Sequence, residues 1–250
     1  MSTEIPEPQV LSEEDQVAAI LENLPAETEV DVAVPSRGIP YFGKEGLVRV
    51  RPMTFDDEKS LTTGNRTKMF NPANHLLSRC VTNVEINRLV IIDKLFLLIK
   101  IRELSYGKDY KVGAVCPACS FENKLNLELD KLLCNDVPED FNFDSREIFL
   151  EGIKKKAEVS ILTVTEEPYV ETGKIANNLW RFFKSIDGVN SPTVIAKVVE
   201  KLPVIDIHTV VKEIMLSEYG IQPQIRFECD SCNRSNLINL PIDENFFSVS

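Results

Sequence analysis

Cys116-Pro117-Ala118-Cys119 and Cys229-Asp230-Ser231-Cys232 are two Cys-x-x-Cys units in one chain. A turn this short lets two thiolates converge on one ion, so a pair of such units has the ligand spacing of a tetrahedral zinc site. The flanks repeat as well. Val112 and Ala114 precede Cys116 by four and two positions, and Ile225 and Phe227 precede Cys229 in the same way. Leu125, Leu127 and Leu129 follow the first unit, Ile238, Leu240 and Ile242 follow the second, and each run reaches an aspartate, Asp130 or Asp243. Alternation at period two predicts strand, turn, strand around each unit. Two such hairpins facing one ion form a zinc ribbon, which places one structural zinc per chain on Cys116, Cys119, Cys229 and Cys232.

About a hundred residues separate the units, against a usual ribbon gap of roughly 15–20. The segment between them carries its own structure. Val159, Ile161, Leu162 and Val164 alternate as a strand over Glu158–Thr165, whereas Phe141–Lys156 has no clear pattern. Ile175, Leu179, Phe182, Phe183 and Ile186 fall at helical spacing. Ser191-Pro192 starts a helix with Val194, Ile195, Val198 and Leu202, and Asp206 is read as the cap of another with Ile207, Val210, Val211 and Ile214, ending at Gly220. The expected fold class is α+β: a mainly helical body with a split four-cysteine zinc ribbon, its knuckles separated by a helical insertion. Residues 110–133 and 221–245 are then the ribbon halves and 134–220 the insertion, clipped at its ends by the metal.

Upstream, residues 31–109 read as β structure followed by helices. Val32 and Val34, a Ser36-Arg37-Gly38 turn, and Leu47, Val48 and Val50 come first. Thr54 then caps a helix ending near Gly64, and another runs from Asn71-Pro72 through Leu76, Leu77 and Cys80. Asn87–Tyr106 is apolar on several faces, as befits a central helix, and Gly107 closes it.

The 250 residues carry 43% apolar and 27% charged side chains, the composition of a globular domain. The net charge of −11 is concentrated in residues 1–36, which hold nine acidic residues and no Lys or Arg. Residues 1–30 therefore read as an acidic, mostly disordered arm. Within it Ser12-Glu13-Glu14-Asp15 opens a short helix with Val17, Ile20, Leu21 and Leu24 on one face, which either folds onto a partner's groove or docks on its own domain or frays. No apolar run reaches a membrane span, and no basic-then-apolar leader is present. The protein is expected to stay in the cytoplasm, a reducing compartment where paired cysteines favour metal over disulfide. Cys80 and Cys134 lack the spacing and read as ordinary buried residues.

Catalytic equipment is absent from the sequence. Four cysteines close a zinc shell, whereas a catalytic zinc keeps a position open. His75 and His208 are the two histidines and stand in no ligand motif, and no phosphate-binding glycine loop occurs. The expectation is no enzyme, no catalytic residues, no bound organic cofactor and no small-molecule substrate. Nucleic-acid binding, the alternative for a zinc ribbon, expects a basic stripe. Instead Lys111 and Lys124 are balanced by Glu122 and Glu128, and Arg226 and Arg234 by Glu228 and Asp230. Phe121 reads as packing within its hairpin.

Ser36-Arg37-Gly38 with Tyr41, then Val48-Arg49-Val50-Arg51-Pro52-Met53-Thr54 leading into Asp57-Glu58, then Ile101-Arg102-Glu103-Leu104-Ser105-Tyr106-Gly107 and the Cys116/Cys119 pair form a further pattern. It resembles the T4-like bacteriophage baseplate family, the hub and hub-assembly proteins of contractile-tailed phages, over roughly residues 31–245. The resemblance implies a non-enzymatic baseplate part or assembly factor whose partners are other hub or tail proteins. It also implies a location in the host cytoplasm during assembly, and in the virion if the protein stays in the particle. The acidic arm lies outside the pattern.

Overall fold

In the computed structural model, which describes residues 12–21, 29–63, 71–170, 173–242 and 244–247, the first element is α1 (Glu13–Leu21). Ser12 caps it: its hydroxyl accepts the Asp15 N–H (3.1 Å) and donates to Asp15 Oδ2 (2.6 Å). No residue of α1 is buried. Leu24, read with this helix, lies outside the described residues. Next, β1 (Val30–Val32) pairs antiparallel with β2 (Val48–Val50). Between them Arg37 and Gly38 turn the chain with left-handed backbones (φ 57° and 74°) into α2 (Ile39–Phe42). Then come α3 (Phe55–Thr63), whose expected end at Gly64 lies outside the described residues, and α4 (Pro72–Cys80). Asn71 caps α4 by accepting the Asn74 N–H, and Leu76, Leu77 and Cys80 are buried.

The helix expected over Asn87–Tyr106 is interrupted near its start. A 3-10 turn, Ile86–Arg88, precedes two extended residues, and α5 occupies Ile91–Tyr106. Residues 89 and 90 are held open by other partners: the Leu89 carbonyl accepts the Val164 N–H, and the Val90 N–H donates to the Tyr41 hydroxyl. Gly107 ends α5 as expected, at φ 86° with its N–H on the Glu103 carbonyl. The all-round apolarity of α5 has a packing cause. Leu97, Leu98, Ile99 and Ile101 lie in the main core, Ile92 in a small cluster with Val137 and Phe141, and Ile91 against a third cluster in the insertion.

After α5 the chain forms the hairpin β3 (Asp109–Val115) and β4 (Glu122–Glu128), then β5 (Cys134–Asn135). The body is mixed α/β rather than mainly helical, because the insertion contains β6 (Arg146–Leu150), β7 (Lys155–Val159) and, later, β8 (Phe183–Ile186) as one antiparallel sheet. Of the strand expected over Glu158–Thr165, only Glu158 and Val159 lie in a strand, at the end of β7. Ile161, Leu162 and Val164 are still buried. Beyond it come α6 (Glu167–Val170) and α7 (Ile175–Asn178), a 3-10 turn Leu179–Phe182 and β8 (Phe183–Ile186).

The helix expected through Ile186 thus stops short. Val159 pairs with Phe183 and Ala157 with Ile186, so β8 carries one extra residue at this bulge. The bulge puts Phe183 and Ile186 on the same buried face although they are three apart, a spacing that mimics a helix. The insertion continues with α8 (Pro192–Val199) and α9 (Val204–Ile214). Asp206 is not the cap of α9. It is fully buried in the first turn, and its Oδ1 accepts the Gly152 N–H at 2.8 Å. β9 (Gly220–Ile221) returns to pair with β5, Cys134 opposite Ile221, which ties the two ends of the insertion through backbone hydrogen bonds. The hairpin β10 (Gln224–Glu228) and β11 (Ser235–Asn239) follows, and a final 3-10 turn at Glu244–Phe247 packs Phe246 and Phe247 into the main core.

Candidate metal centre

Each Cys-x-x-Cys unit sits at the tip of a hairpin. In the first, Cys116 N–H donates to the Phe121 carbonyl (2.9 Å) and Ser120 N–H to the Cys116 carbonyl (2.9 Å). In the second, Cys229 N–H donates to the Arg234 carbonyl (3.0 Å) and Asn233 N–H to the Cys229 carbonyl (2.8 Å). The residue after each second cysteine, Ser120 or Asn233, is left-handed (φ 59° and 54°). The same turn has been built twice. Both hairpins root in the main core, through Tyr110, Val112, Leu127 and Leu129 on one side and Ile225 and Leu240 on the other. They are separate two-stranded sheets and share no strand pairing among the described residues.

The tips meet. Cys116 Sγ lies 3.7 Å from Cys232 Sγ and Cys119 Sγ 3.6 Å from Cys229 Sγ. All four sulfurs lie within 4.8 Å of one another. Four thiolates at about 2.3 Å from a zinc ion stand about 3.8 Å apart along the edges of their tetrahedron, so the donor set has the size and chemistry of a tetrathiolate zinc site. The sulfurs are too far apart for disulfides, which need about 2.05 Å. Cys116 and Cys229 are buried, Cys232 is half-buried and Cys119 is exposed.

Burial opposes ionisation of Cys116, but the N–H groups of Ala118 and Cys119 and the neighbouring thiols outweigh it and bring it down to about 6. Cys229 is lowered in the same way, against burial, by the N–H groups of Cys232 and Ser231. Cys232 is pushed up to about 11: the Arg234 N–H lowers it, but burial and the thiols of Cys119, Cys116 and Cys229 prevail. Knuckle amides aimed at sulfur favour the thiolate, the form that binds metal.

The remaining cysteines and histidines stand apart from this cluster. Cys80 is buried in the main core. Cys134 is half-buried, its thiol raised to about 11 by burial and then by Asp136 and Asp93. His75 lies on α4 and His208 is exposed on α9. Two residues that the cysteine spacing did not single out join the cluster: Asn123 and Asn236. Each stands seven positions beyond the first cysteine of its unit. That shared offset was the signal in the sequence that marks them.

The motifs that carry the family resemblance bury polar groups instead of lining a cleft. Asp93 of α5, fully buried, accepts the Ser36 N–H (2.9 Å), the Ser36 hydroxyl and the Tyr41 hydroxyl (2.6 Å). Burial pushes its carboxyl up to about 6, against those donors. Asp57, also fully buried, is bound by Arg51 at 2.7 and 3.3 Å, by Arg79, and by the Thr54 N–H at 2.8 Å. Burial raises its carboxyl, but Arg51, Thr54 and Arg79 outweigh that and hold it well below the usual range. Met53 N–H donates to Ser105 Oγ (2.8 Å), and Arg102 lies buried among the rings of Tyr106, Tyr110 and Phe246. These contacts tie the turn, the β2–α3 junction and α5 into one frame beneath the first hairpin.

No helix among the described residues is long and apolar enough to cross a membrane. No curated protein and no solved structure matches the chain. A family model described as T4 bacteriophage base plate protein matches residues 27–247, most of the chain and all of the framework just described. The chain belongs to the T4 bacteriophage base plate protein family.

Proposed function

We propose that this protein is a non-enzymatic component or assembly factor of the baseplate hub, acting through protein contacts, with a structural zinc ion on Cys116, Cys119, Cys229 and Cys232. The observation that supports the reading is the donor set: four sulfurs within 4.8 Å of one another match the donor number of a tetrahedral structural zinc, a shell that would leave no position for substrate or activated water. When bound, zinc supplies charge neutralisation for four thiolates and a cross-link between hairpins. The residues do the rest. The knuckle amides stabilise thiolates, and the roots of both hairpins fix the tips against the main core. The ribbon halves 110–133 and 221–245 then clip the insertion 134–220 to the N-terminal region 31–109.

Hub or tail proteins are the partners this reading requires. The α1 helix, with Val17, Ile20 and Leu21 exposed on it, is suited to a groove on one of them, with Leu24 continuing the same sequence stripe. The setting is the host cytoplasm during assembly, and then the baseplate if the protein stays in the particle.

The test is affinity purification of the full chain from phage-infected cells, with a mobility-shift assay on DNA and RNA at two salt concentrations. Stoichiometric recovery of tail proteins without a salt-sensitive shift is expected. A shift that weakens steeply with salt, without tail proteins, overturns the reading in favour of a nucleic-acid-binding ribbon.

A further inference from the structure

The two hairpins are related by an internal repeat, and their asparagines show where it breaks. Asn123 is 1% exposed, and its amide donates to the Ala114 carbonyl (3.1 Å) and to the Phe121 carbonyl (3.2 Å) of its own turn. Its Oδ1 reaches the opposite knuckle and accepts the Asp230 N–H at 2.9 Å. Asn236, at the equivalent place in the other hairpin, donates to the Arg234 carbonyl (2.8 Å) of its own turn. The residue equivalent to Asp230 is Pro117, the one following the first cysteine, and proline has no N–H to offer. The Asn236 amide faces the opposite knuckle all the same, with its Nδ2 3.6 Å from Cys116 Sγ. One asparagine thus crosses the junction to backbone, and the other crosses it to a sulfur of the tetrad.

We propose that Asn123 and Asn236 are paired positioning residues for the metal, Asn123 holding the knuckles in register and Asn236 steadying Cys116 by an N–H···S contact. The inference rests on the zinc reading above. It differs in its claim: how tightly zinc is held depends on two side chains that never touch the ion. Outer-shell donors orient ligands and distribute their charge. Here the change of role, from accepting an N–H at Asn123 to donating to a sulfur at Asn236, follows from a single proline.

The experiment measures zinc affinity of the full-length protein by competition with a chromophoric chelator, and the sulfur-to-metal charge-transfer band after Co²⁺ loading. Asn236→Asp keeps the volume but replaces the donor with an acceptor, and Asn236→Gln offers an amide on a longer stem. Asn123→Ala removes the cross-knuckle bond. Asn236→Asp is expected to weaken zinc about 10–100-fold and to move the Co²⁺ band, with partial recovery in Asn236→Gln. Asn123→Ala is expected to weaken zinc to a similar degree with the band unmoved, because it contacts no sulfur. In the Pro117→Ala variant residue 117 regains its N–H, and the Co²⁺ band is expected to shift as Asn236 turns its carbonyl to it. If wild-type protein binds one zinc and all variants keep its affinity and band, the inference fails and the zinc reading stands. If wild-type protein binds no zinc, the zinc reading itself fails.

Discussion

Cys116 and Cys232 lie 116 positions apart in the chain, yet their sulfurs are 3.7 Å apart, one edge of the tetrad. The hairpins that carry them share no strand pairing among the described residues. Their junction therefore rests on the four sulfurs, on Asn123 and Asn236, and on how deeply each hairpin is rooted in the main core.

Removing a ligand should open that junction. Metal analysis of chelator-free protein should show one zinc per chain, and Cys116→Ser or Cys229→Ser should lose it. Closing a loop of roughly a hundred residues is worth up to about 5 kcal/mol in the chain-entropy treatment. The loss should be smaller, because β5 and β9 also tie the ends of the insertion. Thermal melts with and without chelator measure it, and a metal-free wild-type protein with an unchanged melt would refute the staple.

Asp57→Ala should be the most damaging of the single charge deletions. It leaves Arg51, 11% exposed, and Arg79 without their shared carboxylate and removes an acceptor from Thr54. Breaking a buried pair of this kind costs about 3–5 kcal/mol. In the wild type the carboxyl is held low, so its stabilisation is present above the ordinary aspartate range and is lost as pH falls below about 4. Denaturant melts from pH 5 to pH 2 should show that loss in the wild type.

Asp93 should act with the opposite sign and in a different window. Its folded carboxyl titrates at about 6, above the unfolded value of 3.8, so between these the folded state holds the extra proton. Stability from this group falls as pH rises through that window, by roughly 2–3 kcal/mol. Asp93→Asn should flatten the slope between pH 4 and 6 and leave the acid limb due to Asp57 in place. An unchanged slope would show that the donors from Ser36 and Tyr41 keep Asp93 ionised.

Gly220 should not tolerate a side chain. Its φ is +77°, and a Cβ there would stand 2.9 Å from the Cβ of Ile92, where the base of the insertion meets α5. Left-handed strain and overpacking together make Gly220→Ala cost about 2–4 kcal/mol. Equilibrium unfolding measures this directly. Gly107→Ala, at φ 86° and ψ 174° in a region that only glycine adopts readily but with open space around it, should cost only the backbone share.

Features encoded over a few neighbouring residues could be read without the fold. Period-two alternation around each Cys-x-x-Cys unit specified the hairpins, Gly107 marked the end of α5, and Asn71-Pro72 and Ser191-Pro192 marked helix starts. The cluster of four cysteines was legible because a metal site demands a fixed spacing of its donors. The rest depended on contacts between distant segments. Phe183 and Ile186 read as helical because a bulge in β8 hides the true period. Leu89 and Val90 left the helix because the segment at 161–164 and Tyr41 claim their backbone groups. Asp206 looked like a cap until Gly152 arrived from the β6–β7 turn. Asn123 and Asn236 gained meaning only when two knuckles, far apart in sequence, were brought together. A local pattern records which residues prefer water or a given backbone shape, but hydrogen bonds and charges are satisfied by whatever the fold brings alongside them.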